Sequence, residues 1–141
     1  DPLVAAMAEY CEGSVAFFCL DGNHPLLVQK RAEGGRVAFV RDNNVMLAEG
    51  KHEFPLLSLE RIPLTHHGRV GFQVENVLAA TAACWTLGVP CEQIRIGLES
   101  FSAYMDKVPG RFNLLELHGS TVVVDYGHNP SSLQALMEAL N

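Results

Sequence analysis

The chain has 141 residues, 48% of them apolar and 18% charged, which is the composition of a globular protein with one ordinary core. A formal net charge of −6 and only ten scattered Lys and Arg residues exclude a nucleic-acid binder, which needs clustered positive charge to neutralise phosphates. No apolar run approaches the roughly 20 residues that cross a bilayer, and no charged leader precedes an apolar segment. We therefore expect a cytoplasmic protein without nucleic-acid or membrane partners.

Cysteine and histidine spacing predicts no metal site. The adjacent pair His66-His67 would point to opposite faces of an extended segment, and no carboxylate or cysteine stands at ligand spacing from it. The cysteines contain no Cys-x-x-Cys pair, and three of the four lie in apolar stretches. We expect buried free thiols rather than metal ligands or disulfides: Cys11, Cys19, Cys84 and Cys91.

The first elements predict an α-then-β step of an α/β sheet. Leu3, Met7 and Tyr10 recur at helical spacing before Gly13, which predicts a short amphipathic helix. The unbroken apolar run at 15–20 (VAFFCL) is typical of a strand covered on both faces in a mostly parallel sheet, although periodicity alone also fits a buried helix.

Residues 34–64 have a different pattern. Two apolar runs, 36–40 and 45–48, flank the turn Asp42-Asn43-Asn44, and a third run at 54–64 is interrupted by two prolines. Because Asn and Asp tolerate left-handed turn geometry, the pattern predicts a β-hairpin or small antiparallel meander. We interpret it as an excursion from the α/β core.

Two helices follow. Helical spacing runs from Val74 to Trp85 before Gly88 and Pro90, and a second, shorter helix places Ile94 and Phe101 on one face. Both are expected to pack against the sheet.

The last part of the chain begins with a hinge. Residues 102–111 have weak periodicity and contain Pro109-Gly110, which predicts a boundary between domains. Runs at 114–117 and 121–125 around the turn His118-Gly119 predict a β-hairpin or two successive strands. Helical spacing then runs from Leu133 to Leu140.

The stretch 121–133 (TVVVDYGHNPSSL) is the most informative. It predicts a buried strand that ends at Asp125, a polar turn, and a helix opened by Pro130. Ligands gather at the carboxyl ends of strands in open α/β sheets, which is where Asp125, His128 and Asn129 would lie. A carboxylate there can accept both hydroxyls of a ribose. The alternative is that Asp125 and Asn129 are only turn and capping residues.

These residues resemble a known family. Asp125-Tyr126-Gly127-His128-Asn129-Pro130, preceded by Gly110-Arg111 and by the helix GFQVENVLAA at 71–80, is similar to the pattern of the Mur ligase superfamily. The stretches DPLVAAMAE (1–9), GGRVAFVRDNN (34–44) and MDKVPGRFNLLELHG (105–119) extend the resemblance to essentially the whole chain. The motif PGRFN at 109–113 favours the branch that builds a polymer of Asp and Arg over the peptidoglycan enzymes, which typically have Glu or Gln near this position.

The resemblance implies an α/β fold in two parts. Residues 1–108 would form the later part of a central ATPase domain with the small antiparallel β excursion, and residues 109–141 the start of a Rossmann-like C-terminal domain. The implied reaction is ATP-dependent amide-bond formation through an acyl phosphate, with Mg²⁺ as cofactor. The implied substrates are the Asp/Arg polymer and an amino acid, Arg being added to the β-carboxylate of Asp. Whether the amine is Arg or Lys stays open, as does a homo-oligomeric state.

The resemblance also implies site residues. Asn76 would contact the adenine of ATP, Asp125 the ribose, and Arg111 and His128 the phosphates, with Asn129 beside them. An Asn amide matches the donor and acceptor edge of adenine, and an Arg fork matches phosphate oxygens. The alternatives are a polar residue in the first turns of a helix for Asn76, a solvated hinge residue for Arg111, and a surface group for His128.

One expected motif is absent. The chain has no GxxxxGK[ST] loop, so we expect only part of an ATP site and no activity from the chain alone. It begins at Asp1-Pro2 without Met, as a fragment would. Two other classes stay open: another ligase of the superfamily, of peptidoglycan-precursor or folylpolyglutamate type, and a non-catalytic module whose nucleotide-site remnant serves packing. A dinucleotide-binding oxidoreductase is disfavoured because no GxGxxG follows a predicted strand.

Overall fold

A computed structural model describes residues 2–105 and 107–140. Two residues of the motif stretches, Asp1 and Asp106, and the terminal Asn141 therefore lie outside the described residues. The elements in chain order are α1 Pro2–Ala6, β1 Phe17–Asp21, α2 Pro25–Ala32, β2 Arg36–Arg41, β3 Asn44–Glu49, β4 His52–Ser58, α3 Gly71–Thr86, α4 Cys91–Ser100, β5 Asn113–Leu117, β6 Ser120–Val124 and α5 Pro130–Ala139. Short 3₁₀ turns lie at Met7–Tyr10, Leu59–Arg61 and Pro63–Thr65.

Four strands form one mixed sheet in the order β1-β2-β3-β4. β1 pairs parallel with β2, and β2, β3 and β4 pair antiparallel. Asp42 and Asn43 have φ of 49° and 58°, as the turn between β2 and β3 requires, so the predicted meander is confirmed. The interpretation of this meander as an excursion is wrong. Its first strand, β2, also pairs parallel with β1, so the meander is part of the main sheet.

The alternation of β2 and β3 divides the core between the two faces of the sheet. Val37 and Phe39 pack with Leu27 of α2 on one face. Ala38 and its β3 neighbours Val45 and Leu47 pack with α3 and α4 on the other. Helices therefore cover both faces of the central strands.

β1 differs from its prediction. The strand lies at the edge of the sheet, and only Phe17 and Cys19 pack against a core cluster. Phe18 and Leu20, which alternate to the other face, retain 44% and 40% of their surface. The prediction of a strand covered on both faces therefore holds only in part, because α2 and α3 both contact β1 but leave these two side chains exposed. Burial depends on neighbouring elements that a local apolar run does not specify.

Helix α2 has no counterpart in the predicted elements. Pro25 occupies its first turn, and the N–H of Leu26 donates to His24 Nδ1 at 3.3 Å. Only Leu27 of this helix is buried. With one buried side chain in eight residues, the helix has no clear apolar period. A local signal for it is Pro25, a residue type that favours the first turn of a helix.

The next two helices are confirmed. α3 buries Val74, Val77, Leu78 and Thr81, as its spacing predicts, and the chain leaves it at Gly88 with φ of 83°. It packs against β1 and β2, while α4 packs against α3 and β4. No helix in the described ranges is long and apolar enough to cross a membrane.

The C-terminal part has its own two-stranded sheet. β5 and β6 form the predicted hairpin around His118 and Gly119, whose φ values are 51° and 80°. The prediction that the strand before Asp125 is buried is wrong, since Thr121 and Val122 are exposed on a sheet of only two strands. Helix α5 follows with Pro130 at its start, as predicted.

The cysteines are free thiols, but the prediction that they are buried holds only in part. Cys11 is exposed, after α1 and its following 3₁₀ turn, in which Leu3 and Tyr10 are 81% and 85% exposed. The other three are partly buried and pack at the margins of the core clusters: Cys19, Cys84 and Cys91.

Gly22 provides a test of the packing on the α2 face. A Cβ added there would lie 2.8 Å from Cε2 of Phe39, whose side chain is fully buried. We expect Gly22→Ala to lower the free energy of unfolding by about 1 to 3 kcal/mol through overpacking. Denaturant unfolding of the variant beside Gly13→Ala, where a Cβ meets only Cys11 Sγ at 3.9 Å, would measure this. Equal stability of the two variants would contradict the packing described.

Candidate active site

A pocket of about 820 Å³ lies between helices α3 and α4 on one side and the hinge, the loop after β6 and α5 on the other. All the site residues predicted from the sequence line it: Asn76, Arg111, Asp125, His128 and Asn129. They come from three separate stretches of the sequence. The fold therefore brings the predicted constellation together, while the function of each residue stays a prediction.

Asn76 is exposed and lies in the second turn of α3. Its Nδ2 donates to Oε1 of the buried Gln73 at 3.1 Å, which orients the amide along the pocket wall. An amide has two acceptor sites on its oxygen and two N–H donors, so one such bond leaves most of its capacity for a ligand. Gln73 has no assigned role in the sequence predictions, because nothing in the local pattern distinguishes it from other polar residues of the helix.

Asp125 ties the loop after β6 to the end of the hinge. Its Oδ2 accepts the N–H of Phe112 at 2.9 Å, and its Oδ1 accepts the N–H of Gly127 at 2.7 Å. The alternative of a turn-forming role is therefore confirmed for this residue. Each carboxylate oxygen keeps a further lone pair, so the turn role does not compete with contact to a ribose hydroxyl.

Asn129 caps helix α5. Its Oδ1 accepts the N–H of Ser132 at 2.8 Å and the hydroxyl of Ser131 at 2.7 Å, while its own N–H donates to Ser132 Oγ. This capping box confirms the alternative of a structural role. Contact between Asn129 and a ligand stays a prediction, for which its amide N–H groups are the available donors.

Arg111 and His128 are both exposed, and both lie near Tyr126. The guanidinium carbon of Arg111 is 5.9 Å from the Tyr126 ring centre, and Arg111 takes part in none of the ion pairs formed within the described ranges. His128 Nδ1 is 3.2 Å from the carbonyl oxygen of Tyr126. An exposed cation in the lining of a pocket, without an ion-pair partner among the described residues, suits an anionic ligand group.

Much of the pocket lining is apolar. The apolar lining residues lie in the two predicted helices or in the hinge, and none of them was predicted to contact a ligand: Phe72, Val77, Ala80, Leu98, Phe101 and Val108. A mostly apolar pocket with a few polar groups is typical of small-molecule and cofactor sites.

The loop before α3 supports the hinge. The ring of Phe112, which is 4% exposed, makes edge contacts with His66 at 5.4 Å and with Phe72 at 5.6 Å between ring centres. His66 and His67 have φ of 50° and 62°, so the expectation of an extended segment there is wrong. His67 Nδ1 pairs instead with Glu60 Oε2 at 3.0 Å. Among the residues described, no group of three or more His, Cys, Asp or Glu could hold a metal ion.

The chain is similar to cyanophycin synthetases and to ligases of peptidoglycan precursors. The cyanophycin synthetase of Nostoc sp. is 39% identical over 137 residues, which are 96% of the chain and 15% of the relative. That of Crocosphaera subtropica is 35% identical over 138 residues, 98% of the chain and 16% of the relative. The chain is homologous to the cyanophycin synthetases. The UDP-N-acetylmuramoyl-L-alanyl-D-glutamate–2,6-diaminopimelate ligase of Halalkalibacterium halodurans is also 37% identical over 100 residues, 69% of the chain and 20% of the relative.

The homology confirms the resemblance to the Mur ligase superfamily on which the site prediction rests. No family model matches the chain. The chain spans 15–16% of the length of the two cyanophycin synthetases described above, and the match to them covers the hinge and nearly all of the pocket.

The partly buried position of His66 predicts that the stability of the folded chain depends on pH. Burial, and secondarily the charge of His67, lower the pKa of His66 from its ordinary value of 6.5. The folded chain thus favours the neutral ring, and the unfolded chain binds more protons as the pH falls below the ordinary value. The stability contributed by neutral His66 is present above that value and is lost as the pH falls through the lowered one.

We expect the Tm of the chain to fall between about pH 7.5 and about pH 5.5 by more than the Tm of His66→Asn falls. Asn tolerates the left-handed backbone at this position. His118→Asn is the matched control, because His118 has a φ of 51° but is exposed in the β5–β6 turn. If the Tm of the wild type and that of His66→Asn change in parallel with pH, His66 does not cause the pH dependence.

Proposed function

We propose that the chain forms part of the ATP site of a Mur-type ligase that makes amide bonds, of the cyanophycin synthetase kind. The main support is the convergence of Asn76, Arg111 and the 125–129 loop on one pocket, in a chain homologous to cyanophycin synthetases and Mur ligases. In this proposal residues 1–108 belong to the ATPase domain and residues 109–141 begin the C-terminal domain, so the pocket lies between the two.

Each residue has a chemical role in this proposal. The base of ATP would lie on the apolar wall with its edge toward the Asn76 amide, which offers both a donor and an acceptor. Asp125 would accept the ribose hydroxyls with its remaining lone pairs. Arg111 and His128 would face the phosphates, where the guanidinium stabilises the charge that develops during phosphoryl transfer.

The proposed reaction has two steps. A substrate carboxylate oxygen attacks the γ-phosphorus of ATP, so that ADP leaves and an acyl phosphate forms. An uncharged amine nitrogen then attacks the acyl carbon, phosphate leaves, and the nitrogen releases one of its two protons, which leaves a neutral amide. For the cyanophycin synthetase kind of enzyme, the carboxylate is the side chain of an Asp polymer and the amine is that of Arg. The supply of ATP and free amino acids that these steps need favours the cytoplasm.

The chain itself offers only part of this machinery. Its sequence contains no GxxxxGK[ST] loop, and the residues described include no acidic cluster suited to Mg²⁺. We therefore assign none of them to the metal, and we propose that Mg²⁺ is held elsewhere in the full-length protein. What this segment contributes is base, ribose and phosphate contacts at a hinge.

Asp125 has a loop-closing role as well as the proposed ribose contact, so loss of ATP binding alone would not separate the two. In the full-length protein, we expect ATP to bind about 10- to 100-fold more tightly than 2′,3′-dideoxy-ATP, and Asp125→Ala to bind the two with nearly equal affinity. Titration calorimetry with both nucleotides would measure this. A variant that still prefers ATP by the wild-type factor would assign Asp125 to loop closure alone.

Arg111 is expected to act mainly on turnover. If its guanidinium meets the phosphates only when the C-terminal domain closes over ATP, Arg111→Ala should lower kcat of the full-length ligase more than it weakens ATP binding. Arg111→Lys keeps the charge without the planar fork and should recover only part of the loss. Steady-state kinetics would be compared with those of Lys51→Ala, an exposed cation in the β3–β4 turn. Wild-type turnover in both Arg111 variants would remove the residue from the site.

A further inference from the structure

The backbone around Arg111 adopts conformations that no helix or strand supports. Gly110 has φ of 72°, and Phe112, which is not a glycine, has φ of 52°. A bulky side chain in the left-handed region is strained and persists only where its surroundings hold it. The contacts that hold this segment therefore indicate what its conformation is for.

Asn113 provides one set of these contacts. It is 2% exposed, and its Oδ1 accepts the N–H of Gly110 at 2.6 Å and that of Arg111 at 3.3 Å. Its Nδ2 donates to the carbonyl oxygens of Ala103 at 2.6 Å and Val108 at 3.1 Å. Both acceptor sites and both N–H groups of the amide are used. All four partners lie in the hinge and its immediate surroundings, so this side chain is devoted to the shape of that segment.

Phe112 provides the other set. Its ring is held between His66 and Phe72, which belong to the part of the chain that precedes the hinge. Its N–H donates to Asp125, and the N–H of Tyr126 donates to the carbonyl oxygen of Gly110 at 2.8 Å. The segment is thereby attached both to the α3 side of the pocket and to the loop after β6.

These contacts fix the backbone on both sides of an exposed side chain. Three consecutive N–H groups, those of residues 110–112, donate to side-chain oxygens of Asn113 or Asp125. The Arg111 side chain, by contrast, lies 5.9 Å from the Tyr126 ring and takes part in no ion pair with the residues that the structure describes. We propose that Phe112 and Asn113 form a clamp whose role is to position Arg111 in the pocket. They are positioning residues, and the proposal rests on the proposed ATP-dependent ligase function.

The substitution Asn113→Asp tests the clamp with little change in size. A carboxylate still accepts the N–H groups of Gly110 and Arg111. It has no N–H to donate and would place an oxygen against the carbonyl oxygens of Ala103 and Val108, which opposes the observed arrangement. The matched control is Asn23→Asp, at an exposed position in the turn after β1 and outside the pocket.

The first experiment is a double-mutant cycle in the full-length protein, with kcat and the KM for ATP measured for Asn113→Asp, Arg111→Ala and the double variant. We expect Asn113→Asp to lower kcat by about 10- to 100-fold and to cause no further loss in the Arg111→Ala background. If the kcat losses of the two single variants multiply in the double variant, the positioning role is overturned, since a residue that merely supports the fold acts independently of Arg111. If Asn113→Asp yields no folded protein, Phe112→Leu, which removes the ring contacts but keeps an apolar side chain, takes its place in the cycle.

The second experiment separates failure of the clamp from failure of the ligase assignment. Trypsin cleaves after Lys107 and Arg111, and a held segment resists cleavage. We expect cleavage at these two sites in the full-length protein to be about tenfold faster in Asn113→Asp than in the wild type or Asn23→Asp. Equal cleavage rates would overturn the clamp whatever the activity. If Asn113→Asp is cleaved faster but the wild-type full-length protein has no ATP-dependent ligase activity, the clamp is retained. The proposed function, and the positioning role that rests on it, are then overturned.

Discussion

The structure depends on the alternation of side chains along β2. This strand pairs with β1 on one edge and β3 on the other, and its successive residues enter two different cores. Val37 and Phe39 hold α2, whereas Ala38 faces the cluster built with α3. A shift of one residue in register would exchange these faces and displace α3. Because α3 forms one wall of the pocket, the position of Asn76 follows from the register of a strand that does not touch the pocket.

The other wall is placed mainly by hydrogen bonds, together with the buried ring of Phe112. The hairpin of β5 and β6 is largely exposed, so apolar packing contributes little to its orientation. Its attachment runs through the bonds of Asp125 and Asn113 to the hinge, and through the ring of Phe112. Such polar contacts are directional and individually modest in energy. The pocket thus has one wall held by the apolar packing of α3 and the other held mainly by directional hydrogen bonds at the hinge.

Sequence patterns predicted the elements whose signals are local. The period of α3 and the Pro130 start of α5 both lie within a few turns of chain, and the motif order identified the pocket residues through the family resemblance. What could not be predicted depends on contacts between distant segments. The apolar run of β1 does not specify that its strand lies at an edge. The four bonds of Asn113 require the hinge to fold back on itself, which no spacing of residue types encodes.

The edge position of β1 affects how this segment behaves in solution by itself. Within the described ranges β1 has β2 on one side and no strand on the other, so its outer row of N–H and C=O groups is open. Phe18 and Leu20 add exposed apolar surface along the same strand. An edge of this kind is a template for pairing with another copy of itself. At high concentration, the 141-residue segment would tend to self-associate through β1. An oligomeric state measured on the segment would then reflect this open edge rather than the assembly of the full-length protein.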